Sequence, residues 1–211
     1  MKNIKILLVT VLSTWATFTW TLSAQASFLS VNETAEILPE NFYKVGVAPQ
    51  LLISNGGGFN IGVFADMHAF DDTDARISFG AGEIDFYTQA SLKWVPFPDV
   101  DKQPAIGLKG GIGYVRENSE NFLQIQITPL ISKKADTRYG NMIPYVALPI
   151  TYMNTKNDNY TATQFTVGSE WYPYDDKHIG AELNLNMKNS YSSISVYFSF
   201  PFEASTGYIR K

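Results

Sequence analysis

The chain has 211 residues, enough for one domain, and its net charge of -4 supplies no basic field for nucleic acid. It contains no cysteine, which excludes a disulfide framework, a cysteine-based metal site and an acylated-cysteine anchor. Aromatic residues reach 14% and charged residues only 17%, and the mean hydropathy lies near zero, which argues against a helical membrane protein.

The first segment reads as a targeting signal. Lys2 and Lys5 precede the apolar run "ILLVTVLSTWATFTWTL", and Ala24 and Ala26 in "SAQAS" fit a small-x-small cleavage site. The expected signal peptide is 1–26, with the cut before Ser27, and the mature protein is expected to be exported. No other apolar run approaches the roughly 18 residues of a spanning helix. The next stretch, "SFLSVNETAEILPEN" (27–41), has no period and is expected to be an N-terminal periplasmic extension.

From Phe42 onward the pattern alternates with period two, as a strand requires. "FYKVGVAPQLLIS" sets Tyr43, Val45, Val47, Leu51 and Ile53 against Lys44, Gly46, Ala48 and Gln50. "GFNIGVFADMHAF" sets Phe59, Ile61, Val63, Ala65 and Met67 against Asn60, Gly62, Asp66 and His68, with Phe64 out of place on the polar side. "FLQIQITPLIS", "HIGAELNLNMKN" and "SSISVYFSF" repeat the separation. Turn clusters fall between these segments, and a weaker break is placed near Gly82 and Glu83. The result is about ten strands of about 9–13 residues, a length that crosses a bilayer at a tilt. The predicted fold is all-β: an up-and-down antiparallel transmembrane β-barrel over 42–202, with eight strands as the alternative count and a C-terminal tail over 203–211. The prolines Pro49, Pro129, Pro144 and Pro149 fall inside strands, so bulges are expected there, or a split of "GNMIPYVALPITYMN".

The polar face is rich in Gly, Ser, Thr, Asn and Gln and carries charges of both signs. A narrow membrane barrel fills its lumen with such paired polar groups and turns its apolar face to lipid. The competing reading is a soluble periplasmic barrel or sandwich. The lumen-lining candidates are Lys44, Asp66, His68, Arg76, Asp85, Lys93, Lys109, Glu170, Glu182 and Lys188. Gly107, Gly111 and Gly113 are expected to make room for a large side chain across the lumen, such as Tyr87 or Tyr145.

Three clusters, "KWVPFPDVD", "EWYPYDDKHIG" and "YFSFPFEAS", each place aromatic residues and proline before acid, and each closes an even-numbered strand. They therefore share one rim, the periplasmic one if the chain starts in the periplasm. Aromatic rings suit a membrane–water boundary, and proline is tolerated where pairing ends. Trp94, Phe97, Trp171, Tyr172, Tyr174, Phe200 and Phe202 are the expected membrane-interface girdle.

The signal "SAQA", the hairpin "GSEWYPYDDKHIGAELNLNM" and the aromatic strand "ISVYFSF" resemble the small outer-membrane β-barrel proteins of Gram-negative bacteria, of opacity-like and OmpA-like pattern. The resemblance covers residues 42–202 and reports architecture. It implies insertion by the barrel assembly machinery, with outer-membrane lipid as the surroundings. The chain departs from the pattern in continuing past Phe202 as "EASTGYIRK".

Little points to catalysis. Asp66 and His68 lie at i and i+2 on the polar face, a spacing that suits an oriented base and is similar to the Asp-x-His element of omptin proteases. The bland reading is a lumenal ion pair. His178 is followed by Ile179 and Gly180, which does not match a lipid-A deacylase His-x-Ser. The acids at 71, 72, 74, 175 and 176 lack the spacing of a calcium loop and read as solvated turns. No catalytic, cofactor-binding or metal residue is assigned. The expected function is an outer-membrane barrel of structural or interaction type with a charge-paired lumen. The alternative is a narrow channel for small solutes, and the remote alternative is a hydrolase using Asp66 and His68.

Overall fold

A computed structural model describes residues 30–204 of the chain, apart from Asn55, Asn157 and Asp175. The expected signal peptide (1–26) and residues 205–211 of the expected tail lie outside the described residues. The first six strands are β1 (Phe42–Leu52), β2 (Gly58–Phe70), β3 (Thr73–Gly82), β4 (Phe86–Phe97), β5 (Ala105–Glu117) and β6 (Glu120–Ser132). Three shorter ones follow: β7 (Ala135–Thr137), β8 (Gly140–Ala147) and β9 (Ile150–Asn154). The last are β10 (Asn159–Tyr174), β11 (Lys177–Lys188) and β12 (Ser193–Glu203).

Each strand pairs antiparallel with its neighbours, and β1 closes on β12 from Phe42↔Glu203 to Leu52↔Ser193. Closure removes the free edges that an open sheet would leave. β8 and β9 together make the seventh of ten spans, while β7 only extends the sheet at one rim. The tight β5–β6 turn illustrates how local chemistry sets the hairpins. Asn118 (φ 50°) and Ser119 (φ 68°) both take the left-handed conformation that matches the twist of a two-residue hairpin.

The split resolves the conflict at Pro149 and Pro129, while Pro144 stays within β8 opposite Ser169. The seventh span breaks at Leu148–Pro149, between β8 and β9. On β6, pairing with β9 stops at Ile127 and pairing with β8 starts at Leu130, so Pro129 faces the break and loses no ladder bond there. Leu148 N–H instead donates to Pro129 O at 3.0 Å. Pro49 falls where the β1–β12 ladder is interrupted, between Val47↔Phe198 and Gln50↔Ser195.

The apolar faces point outward. Leu51, Ile61, Ile112, Leu123 and Ile125 are exposed, with Ile112 at 65%, while Lys44, Gln50, Asn60, Lys109 and Gln126 are buried inside. Leaving that continuous apolar band in water would cost on the order of tens of kcal/mol. Lipid removes the cost, so this is a transmembrane barrel.

Among the described residues, aromatic rings inside the barrel pack against glycines of neighbouring strands. They are Phe64 over Gly46, Tyr87 over Gly80, Tyr145 over Gly168 and Tyr197 over Gly180. A Cβ added at Gly80 or Gly180 would meet the opposing ring at 1.9 Å. Glycine as a seat for lumenal rings was expected, but at other positions. Gly107 packs against Val95 and Leu130, Gly111 against Ser91 and Gly113 against Gln124. Phe64, out of place in the alternation, belongs inside: its ring carries the Arg76 guanidinium at 4.2 Å and meets Tyr197 edge-on.

Candidate functional site

The rim where β1 begins is called proximal here. From there upward the lumen is charged, then lined by side-chain amides, then apolar. Arg76 (β3), Lys93 (β4), Lys109 (β5), Lys44 (β1), Asp66 (β2), Glu170 (β10) and Glu182 (β11) form the charged layer, all buried. Above them Gln89 donates to Gln126 at 2.7 Å, and Asn60 to Gln50 at 3.2 Å. Ile84, Tyr87, Val115, Phe122 and Met153 pack together at the distal rim.

The centre of the charged layer is filled by the chain itself. Residues 30–38 lie inside the barrel, with Ser30 deepest and Leu38 nearest the proximal rim, and 31–35 are buried. The extension expected in the periplasm is, over these residues, a lumenal plug. The physical reason is donor and acceptor matching. Val31 N–H and Asn32 N–H donate to Glu182 at 3.0 and 2.8 Å, and Ser30 Oγ donates at 2.8 Å. Arg76 donates to the carbonyls of Val31 (3.0 Å) and Asn32 (3.2 Å). Lys93 Nζ donates to the carbonyls of Thr34 (3.1 Å) and Glu36 (2.6 Å). Ala35 N–H reaches Ser132 Oγ, and Leu38 N–H reaches Asp74. Val31, Ala35 and Ile37 also pack on Val95, Ala105, Leu130 and Tyr145. An irregular segment without secondary structure needs such partners for every buried polar group.

Glu33 is the plug's charged contact. Its carboxylate lies 2.5 Å from Lys109, 3.5 Å from Lys93 and 3.6 Å from Arg76. Burial alone would raise its pKa, but Arg76, Lys109 and Lys93 outweigh burial and hold it below the usual carboxylate range. Glu36, nearer the rim, is pushed upward, first by burial and then by Asp99.

Eight of the ten lumen candidates lie inside. Arg76 grips Asp66 through two bonds, Nε–Oδ1 at 2.5 Å and Nη2–Oδ2 at 2.8 Å. Lys44 sits between Asp66 (3.4 Å) and Glu170 (3.8 Å). Glu170 also meets His178 at 3.2 Å and accepts from Tyr197 Oη at 3.3 Å. Glu182 accepts from Tyr145 Oη at 2.7 Å and Asn184 at 2.9 Å. Two candidates are corrected. Asp85 is exposed because the β3–β4 turn spans 83–85, and Lys188 is exposed at the distal end of β11, above the filled lumen.

The Asp66–His68 dyad does not form. Asp66 is taken by Arg76 and Lys44, and the half-buried His68 pairs with Asp74 at 3.6 Å. Asp74, read from its sequence neighbours as a solvated turn acid, is buried, because β3 already starts at Thr73 and turns it inward. Among the described residues no group of three His, Asp or Glu side chains converges as metal ligands.

The girdle candidates share the proximal rim by register, but not all face outward. Trp94 and Phe97 are exposed on the outer face, and Phe202 stacks on Tyr43 at 5.7 Å, with Phe200 one pair above it. Trp171 donates Nε1–H to Tyr139 O at 2.9 Å. Tyr172 is corrected: it stacks on His178 at 3.7 Å. One residue past the outward Trp171, its side chain falls on the lumen side. The backbone of Tyr174 pairs with Lys177, and its side chain lies outside the described groups.

Sequence reasoning missed Glu33, Asp74 and Tyr197, and it expected Tyr145 in the lumen but opposite other glycines than Gly168. The signal for the two tyrosines was the glycine opposite each in the neighbouring strand. For Glu33 no local signal exists, since a segment without period has no face.

No family model and no curated protein matches the sequence. Solved structures do match in fold. An outer membrane channel from Pseudomonas putida F1 is 9% identical, with a TM-score of 0.51, over 82% of this chain and 100% of that one. The translocator domain of the autotransporter NalP from Neisseria meningitidis is 9% identical, with a TM-score of 0.45, over 80% of this chain and 90% of that one. The N-terminal β-barrel domain of Pseudomonas aeruginosa OprF is 12% identical, with a TM-score of 0.38, over 77% of this chain and 98% of that one. At these identities the first likeness shows the fold and nothing finer.

Proposed function

We propose that this is an outer-membrane β-barrel of a Gram-negative bacterium, of structural or interaction type, whose lumen is closed by its own N-terminal segment. The observation that carries the reading is the plug: residues 31–35 are buried in the charged layer, and a polar cavity beside them, of about 10 Å³, has room for about one water molecule. In this reading the signal peptide is removed, the barrel assembly machinery inserts the chain into lipid, and the proximal rim faces the periplasm. The outward aromatics Trp94, Phe97, Phe200 and Phe202 then lie at that membrane boundary.

The second reading, a narrow channel for small solutes, is favoured by one observation. The lumen wall is polar through its charged and amide layers, with Gln89 and Gln126 bonded to each other and Gln50 to Asn60. A path exists only if the plug leaves. Single-channel recording of the refolded, signal-free chain in a planar bilayer decides between the two. The closed reading expects an inserted, heat-modifiable barrel that is silent, and steps on deletion of residues 30–38. Stable steps from the complete mature chain favour the channel.

A further inference from the structure

We propose that Arg76, Lys93 and Lys109 form a binding socket for a small oxyanion, a carboxylate or phosphate, which the chain's own Glu33 occupies. This rests on the plugged-lumen reading and names the chemistry of that same site.

Register gives the reason. Lys93 on β4 and Lys109 on β5 are directly opposed cross-strand partners, and both point inward. Like charges in that position repel, and burial strengthens the repulsion. The wall provides counter-charges for two members of the socket: Arg76 has Asp66, and Lys93 has Asp74 at 3.3 Å. It provides none for the third, since among the described residues the one ion pair of Lys109 is with Glu33. The barrel wall therefore carries a fixed requirement for an anion at this point, and a segment held only by reversible contacts meets it.

The socket also has the shape for two oxygens. Oε1 of Glu33 lies towards Lys109 and Arg76, and Oε2 towards Lys93. Carboxylates and phosphates both present oxygen pairs to such clusters. The small polar cavity next to Lys109, bordered by Ser30, Asn32, Ser78 and Gln89, adds hydroxyl and amide groups on the same side. A free oxyanion and the plug thus compete for one position.

The test uses the complete mature chain carrying Glu33→Gln, refolded in detergent, with inorganic phosphate and acetate as probes and chloride at matched ionic strength as control. A ligand that binds only the folded barrel raises its stability. Phosphate is expected to shift the urea midpoint of Glu33→Gln upward, acetate less so, and chloride not at all. The shift should vanish in Glu33→Gln/Lys109→Met and be weaker in the unsubstituted chain, where Glu33 competes. An equal shift in all three proteins, or none in Glu33→Gln, overturns the socket. If Glu33→Gln fails to refold, Thr34→Cys in the otherwise unchanged chain replaces it, as the protein has no native cysteine. Phosphate should then speed thiol labelling several-fold over chloride, and an equal rate in both overturns the proposal. A silent bilayer record for the complete chain with no phosphate effect would refute the socket but leave the closed barrel standing. Open steps with a phosphate effect would do the reverse.

Discussion

Lys109, in the middle of the barrel wall, holds its ammonium 2.5 Å from the carboxylate of Glu33, a residue that precedes the first strand. The contact joins two parts of the chain that no hairpin brings together. It is also the point at which the wall's charges are completed. Replacing Glu33 with alanine leaves Lys109 buried without its ion-pair partner. Breaking a buried pair from one side costs about 3–5 kcal/mol. The expected outcome is a barrel that still inserts but whose residue 34, as a single cysteine, becomes rapidly labelled. Unchanged protection at that position would show that the plug does not depend on this charge.

Acid should release the plug. The Glu33 pKa is lowered in the docked state, so its stabilisation is complete above the ordinary carboxylate value of about 4.5 and is lost as pH falls through the depressed docked value. The charged groups facing it are Arg76 on β3, Lys109 on β5 and Lys93 on β4. Labelling of Thr34→Cys, measured with a pH-insensitive thiol reagent, should rise only below about pH 4.5. A rise already at pH 6 to 7 would show that a group other than Glu33 holds the plug.

Gly180 should not accept a side chain. Its missing Cβ is the space filled by the Tyr197 ring, whose hydroxyl reaches Glu170. Gly180→Ala is expected to destabilise the barrel by about 1–3 kcal/mol through overpacking. Gly180→Ala/Tyr197→Leu should recover part of the loss in urea unfolding. Additive losses in the double variant would mean that the ring and the glycine are not coupled.

Asp66 and His68, neighbours in the sequence pattern, should behave independently. Asp66→Asn removes the carboxylate from both Arg76 and Lys44 and should cost about 3–5 kcal/mol. His68→Ala loses one rim contact with Asp74 and should change the urea midpoint little. Equal effects from the two substitutions would revive a functional pair.

The strands and their faces were legible because the relevant physics is local. Alternation in "FYKVGVAPQLL" tells which residues of β1 face lipid without reference to any other strand, and the same holds for β6 and β12. Even the break at Pro149 announced itself, since proline cannot donate to a closed ladder. Local reading failed where a turn boundary slid by a residue or two. Asp74 became a lumen residue and Asp85 a turn residue for that reason, and Tyr172 moved from the girdle to the lumen by parity alone.

By itself, then, the sequence determined an all-β chain of about ten hydrophobic-out strands with a polar, charge-bearing interior, because alternation is written within each strand. Only the tertiary structure decided what fills that interior. Glu33 finds Lys109, Glu182 finds the amides of Val31 and Asn32, and Tyr197 finds Gly180 through closure of the sheet. Such contacts depend on how far the wall curves and on which strands end up face to face. An aperiodic segment such as 30–38 carries no face of its own, and its place is set by the unpaired charges and acceptors that the closed barrel leaves inside.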